Sequence, residues 1–186
     1  MNMNLNLSEL HTVFYSGMFS DQGDRGALFP IYELLQLNKL THNTITIATK
    51  THYLTTIQEM QRHQHIDQVN GSPEHKALAS LAQDWLHIQG FESKTEQTFC
   101  GHYPDVITSD KQTIVECGNT GNPEKLLQYF DQGNVAEVIQ LPYPTYENSC
   151  LVAHRFVAQT GLHNAIHVLR QQQNRDILDI LNRPNR

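Results

Sequence analysis

An α/β fold is expected from this sequence: a mixed central sheet flanked by helices, in the order αβββαβ, preceded by a mainly helical extension. Three observations lead there. In "SPEHKALASLAQDWLHIQGF" the residues Leu78, Leu81, Ala82 and Trp85 recur at i, i+3, i+4 and i+7, the spacing of a helix with one buried face. The segments "FESKTEQTF", "YPDVITS" and "QTIVECG" then read as three consecutive strands separated by turn-prone or short stretches. Last, "NPEKLLQYFDQGN" is a helix and "VAEVIQL" a strand, so the third strand, this helix and this strand form a crossover. Such a unit lays its two strands parallel and is right-handed.

Taken in chain order, helices are expected over residues 7–19, 29–40 and 52–63, with "TITIA" as a short alternating strand and "SDQGDRGA" as a loop. A boundary falls near residue 71. Asn70-Gly71 signals a turn, and Ser72-Pro73 reads as an N-cap and first helical residue. The chain thus divides into a mainly helical region, 1–71, and a domain, 72–186. Gly90 sits where a left-handed helix stop belongs, and Asn122, Pro123 and Gly133 punctuate the crossover helix in the same manner. The β-branched residues of "VAEVIQL" suit a strand buried on both faces. Beyond Pro142 and Pro144, "CLVAHRFVAQ" suits one more strand. The final "LHNAIHVLRQQQNRDILDILNR" is an amphipathic helix, expected to be interrupted near its glutamines.

Length and composition narrow the function. At 186 residues the chain can bury an adequate core, and its apolar runs are far too short to span a bilayer. The opening "MNMNLNLSEL" lacks the basic and apolar regions of a secretory signal, so a cytoplasmic location without membrane contact is expected. Cys100, Cys117 and Cys150 are odd in number and form no CxxC pair, which supports neither a disulfide framework nor a thiolate zinc site. A formal charge of −6 excludes a broadly basic coat for nucleic acid. The N-terminal helices and strand also permit a winged-helix-like DNA reader, against which their scarcity of Lys and Arg counts.

The chemistry concentrates in one hairpin. A two-residue turn at Asp110-Lys111 pairs Ser109 with Gln112, then Val106 with Val115, and finally sets Asp105 opposite Glu116. Directly opposed residues hold their Cβ atoms about 4.5 to 5.5 Å apart, and like charges there are destabilising. Glu116 also follows the apolar "TIV". Such a carboxylate must be protonated, paired with a base or bound to a cation. Two carboxylates with water and phosphate suit Mg²⁺ or Mn²⁺ better than zinc. Glu74, on the preceding helix, is placed to approach the same edge.

This arrangement resembles the PD-(D/E)XK nuclease superfamily, the restriction-endonuclease-like fold. The resemblance covers residues 72–141 and rests on Pro104-Asp105 and, ten residues on, Glu116-Cys117-Gly118. It implies that Asp105 and Glu116 hold the metal, that the Cys117 backbone carbonyl completes the set, and that the substrate is nucleic acid, DNA before RNA. Gly118 stands where the family has its lysine. Lys125 is the replacement candidate, because some members supply the cation from the following helix. Lys125 and Tyr129 share a helix face, and Lys111 is carried away by the turn. A second copy or a partner subunit would supply further grip on DNA. The alternative is a nuclease-fold module that binds without cutting.

Other features have plain explanations. Glu74 suits a helix N-terminus, and His102 and "GNTGN" suit loop and cap duty. His163 with His167, and His63 with His65, lack a third metal ligand. Cys117 lacks the partners of a thiol triad, and Trp85 is core.

Overall fold

The computed structural model describes residues 5–15, 25–63, 71–95, 97–118 and 122–181. Among the described residues twelve elements follow one another: α1 (Leu7–Tyr15), α2 (Arg25–Gln36), β1 (Leu40–Thr49), α3 (Lys50–His63), α4 (Pro73–Ile88), β2 (Ser93–Thr95), β3 (Val106–Thr108), β4 (Thr113–Cys117), α5 (Pro123–Gln132), β5 (Glu137–Leu141), β6 (Cys150–Ala158) and α6 (Leu162–Leu181). The six strands form one mixed sheet in the order β1-β6-β5-β4-β3-β2. Its one parallel pair is β4 with β5, the two strands joined through α5. None of the described helices is long and apolar enough to cross a membrane.

Side-chain alternation along the strands divides the interior into two cores. Ile107, Ile114, Val138 and Phe156 face α1, α2, α5 and α6, where Phe14, Ile31, Leu126, Tyr129 and Ile166 meet them. Their neighbours Val106, Val115, Ile139 and Leu151 face the other way, onto Tyr53 of α3 and Leu78, Leu81 and Leu86 of α4. All five residues of β4 and of β5 are buried, as expected for strands covered on both sides.

The caps fall where the sequence placed them. Ser72 accepts from His75 N at 3.2 Å, and Asn122 accepts from Lys125 N at 3.2 Å. Gly90, at φ +89°, ends α4. Several bounds differ from expectation. Helix α2 starts earlier and stops at Gln36, because Asn38 turns left-handed at φ 51° and sends the chain into β1. The short strand "TITIA" is the middle of a ten-residue edge strand that pairs with β6 from Leu40↔Ala158 to Thr49↔Cys150. Residues before 71 therefore complete the same sheet. Helix α6 runs unbroken through Gln171–Gln173, contrary to the expected interruption, since glutamine is a good helix former and carries no stop signal. Residues 16–19, 64–70 and 119–121, on which the rest of the first helix, His65 and most of "GNTGN" fall, lie outside the described residues.

Candidate active site at the β3–β4 hairpin

The hairpin has the expected register, Val106↔Val115 and Ile107↔Ile114. Its turn is longer than two residues. Lys111 N donates to Thr108 O at 2.8 Å and Lys111 lies at φ 59°, while Asp110 Oδ1 accepts from Thr108 Oγ1 at 2.6 Å and from Gln112 N at 3.0 Å. A four-residue turn with a left-handed last position preserves the register that a two-residue turn would give. One step beyond Val106 and Val115 sets Asp105 opposite Glu116.

Glu116 shares a face of β4 with Ile114 and so lies under α5. It is only 5% exposed. Two donors from one face of α5 meet it: Lys125 Nζ at 2.7 Å from Oε2, and Tyr129 OH at 2.7 Å from Oε1. The Asn122 cap and Pro123 fix where that helix begins, and the four-residue spacing stacks Lys125 above Tyr129. Burial pushes the Glu116 carboxyl above its usual range; Lys125 and the Tyr129 hydroxyl oppose the rise, and nearby Asp105 adds to it. Burial and Glu116 in turn raise the Tyr129 hydroxyl. His102 hydrogen-bonds Gln128 of α5 and sets its ring edge-on to Tyr129, with centroids 5.7 Å apart.

Asp105 lies just outside β3 and turns to other partners. Its Oδ2 accepts from Cys117 N at 2.6 Å, and its Oδ1 lies 3.0 Å from His75 Nε2. The two acids are neighbours, yet each of their four oxygens already has a donor from the chain itself. Glu74 does not supply one. Its charge acts on Tyr53 and Tyr143, which pack on the α4 side of the sheet; burial, then Tyr143 and Glu74, push the Tyr53 hydroxyl up to about 12. The next residue, His75, is the one that reaches Asp105. The Ser72 cap fixes where α4 begins, but no local signal distinguishes His75 from Glu74, because the packing of α4 against the hairpin decides which one reaches Asp105.

Cys117 lends its amide to the site while its buried thiol, pushed well up by burial, sits in the α4-side core. Gly118 is strained for any side chain. It lies at φ +81°, and a Cβ there would stand 2.8 Å from the Tyr143 ring. Lys111 lies at the far end of the hairpin with Nζ 5.9 Å from the Phe99 ring centroid. His163 pairs with Asp131 of α5, and His167 with Gln171 one turn on along the exposed face of α6, so neither gathers metal ligands. Trp85 packs against the α4-side core.

Among the described residues no three His, Cys, Asp or Glu side chains gather as a metal centre. The donor set is two carboxylates, and a carboxylate oxygen with one hydrogen bond keeps a second lone-pair direction. Hard oxygens of this kind, completed by a carbonyl and water, suit Mg²⁺ or Mn²⁺. No protein-family model, curated protein or solved structure matches the chain.

Proposed function

We propose that the chain is a metal-dependent nuclease of the PD-(D/E)XK superfamily, hydrolysing phosphodiester bonds in nucleic acid, with DNA as the first substrate to test. The run from α4 through β5, three antiparallel strands and then a parallel fourth, supports a restriction-endonuclease-like core. The observation that carries the reading is Lys125 Nζ at 2.7 Å from Glu116 Oε2. The helix delivers a cation to the carboxylate pair, where position 118 carries none.

Asp105, Glu116 and the Cys117 carbonyl would hold Mg²⁺ or Mn²⁺. The bound ion would supply Lewis-acid polarisation of a phosphate and a more acidic water. Lys125 favours the ionised form of Glu116 against its burial and has further N–H donors for water or a phosphate oxygen. Tyr129 and His75 act as positioning residues, fixing Glu116 and Asp105 respectively. A cleft of about 720 Å³ opens beside Asp105, lined among others by His75, Lys76 and Tyr103. The Tyr103 ring is exposed and offers a base a stacking surface. With a net charge of −6, a second copy or a partner subunit would supply the remaining grip.

A second reading is favoured by the four engaged carboxylate oxygens and by Gly118: the same module binding nucleic acid or a protein without cutting. Purified protein incubated with plasmid and single-stranded DNA in Mg²⁺, Mn²⁺ or chelator separates the two. Metal-dependent cutting should fall by about 100-fold or more in Glu116→Ala and in Lys125→Ala, the range for losing one electrostatic stabiliser. Binding without cutting selects the module. Absence of both removes both DNA readings.

A further inference from the structure

Tyr103 is exposed and at the same time held in place. The residue is 69% exposed, yet the chain is pinned on both sides of it. Phe99 N donates to His102 O at 2.8 Å and His102 N to Phe99 O at 2.9 Å, around Cys100 and Gly101 at φ 50° and 75°. Two successive positive φ angles mark a tight type I′ turn. His102 is tied to Gln128 of α5, Pro104 is buried, and Asp105 accepts from Cys117 N. A tyrosine has only two side-chain torsions to order, so a ring carried on such a segment loses little entropy when a flat group settles on it.

The cleft of about 720 Å³ beside Asp105 is lined by Tyr103 together with Met60 of α3 and Lys76, Ala79 and Gln83 of α4. In a chain of net charge −6, Asp105 is the one acid of this lining among the described residues, and Lys76 the one Lys or Arg. Lys76 Nζ forms no ion pair among the described residues. Duplex DNA is gripped through many phosphate contacts, for example about 6 to 10, and one lysine does not supply them. Bases inside a duplex are also covered on both faces by their neighbours, so a protein ring stacks on bases that are unpaired. A single strand is held largely by such stacking, with fewer phosphates engaged.

We propose that this cleft selects single-stranded nucleic acid over duplex: Tyr103 stacks on an unpaired base and Lys76 pairs with a backbone phosphate beside Asp105. That the strand is a substrate rests on the nuclease reading; its single-stranded character rests on Tyr103 and the cleft lining. The test is fluorescence anisotropy of the full chain with a labelled mixed-sequence DNA oligonucleotide, alone and annealed to its complement, in chelator so that no cutting intervenes. The single strand should bind at least about tenfold more tightly than the duplex. Tyr103→Ala, a change at an exposed position, should weaken single-strand binding by about fivefold or more, the lower range for one lost stack, and Tyr103→Phe should keep it because the π face remains. Lys76→Ala should make the fall of log affinity with log salt shallower by about 0.7, the loss of one phosphate contact on a single strand.

The proposal is overturned if the single strand does not bind, if the duplex binds as tightly, or if Tyr103→Ala keeps full affinity, which would leave Tyr103 an ordinary surface ring. An unchanged salt slope overturns the Lys76 contact. Cleavage of DNA reads independently. Metal-dependent cutting with no preference for single strands removes the selectivity alone, and selective single-strand binding without cutting sustains the cleft while removing the nuclease.

Discussion

Gly118 shows how a single position redirects the chemistry around it. A left-handed φ of +81° costs a side-chain-bearing residue about 1 to 2 kcal/mol, and here the added Cβ would also meet the Tyr143 ring at 2.8 Å. Gly118→Ala should therefore lose at least about 1 kcal/mol of unfolding free energy, measured by urea denaturation; unchanged stability would mean that Tyr143 moves freely and the position is open. Gly118→Lys should for the same reason fail to restore a Lys125→Ala variant. The proximity of Asp105, Glu116 and Lys125 was legible because a hairpin register and a helical spacing are short-range arithmetic. His75 was not, since Glu74 and His75 differ by about 100° around one helix axis and only the angle of α4 to the hairpin decides which reaches Asp105. The expected like-charge conflict was real but incompletely described: Lys125, Tyr129, His75 and the Cys117 amide already temper it.

Helix α5 and the hairpin work as a pair, because α5 is useful only if its first turn starts at a fixed place. Asn122 sets that start by accepting from Lys125 N. Asn122→Ala should cost about 1 kcal/mol of stability, typical for a lost N-cap, and loosen Lys125 against Glu116. Thermal unfolding checks the first effect; on the proposed nuclease reading, the second should appear as a lower cutting rate at unchanged DNA binding. Elements like this one were readable because caps and periodicity are local. The hairpin register was readable for the same reason, even though the turn itself is longer than expected. Strand β1 was harder: "LTHN" has no clean alternation, and those residues become strand only because β6 offers a ladder along its whole length. The glutamines of α6 misled in the opposite direction, since polarity marks an exposed face and not a break.

The order of strands across the whole sheet carries what no local pattern contains. Glu116, Gln140, His154 and His42 come from four strands, and the sequence says nothing of their adjacency until β6 inserts between β5 and β1. That row makes stability depend on pH in two opposing ways. An unfolded His42 titrates near 6.5 and the folded one near 4, so between these values the unfolded chain binds more protons. Stability from His42 is thus complete above pH 6.5 and is lost as pH falls toward 4, with His154 acting in the same direction. Glu116 opposes them. Its raised carboxyl makes the folded chain the better proton binder above pH 4.5, so its contribution declines as pH rises through its folded value. The His42 effect is on the order of 3 kcal/mol, from a displacement of about 2.5 pH units at about 1.4 kcal/mol each. Urea unfolding between pH 4.5 and 7.5 should show wild-type stability falling below pH 6.5. His42→Phe should flatten most of that slope whatever its stability at neutral pH, because the slope reports only protons bound. A slope unchanged in His42→Phe would mean that water reaches the imidazole freely and that burial does not hold it uncharged.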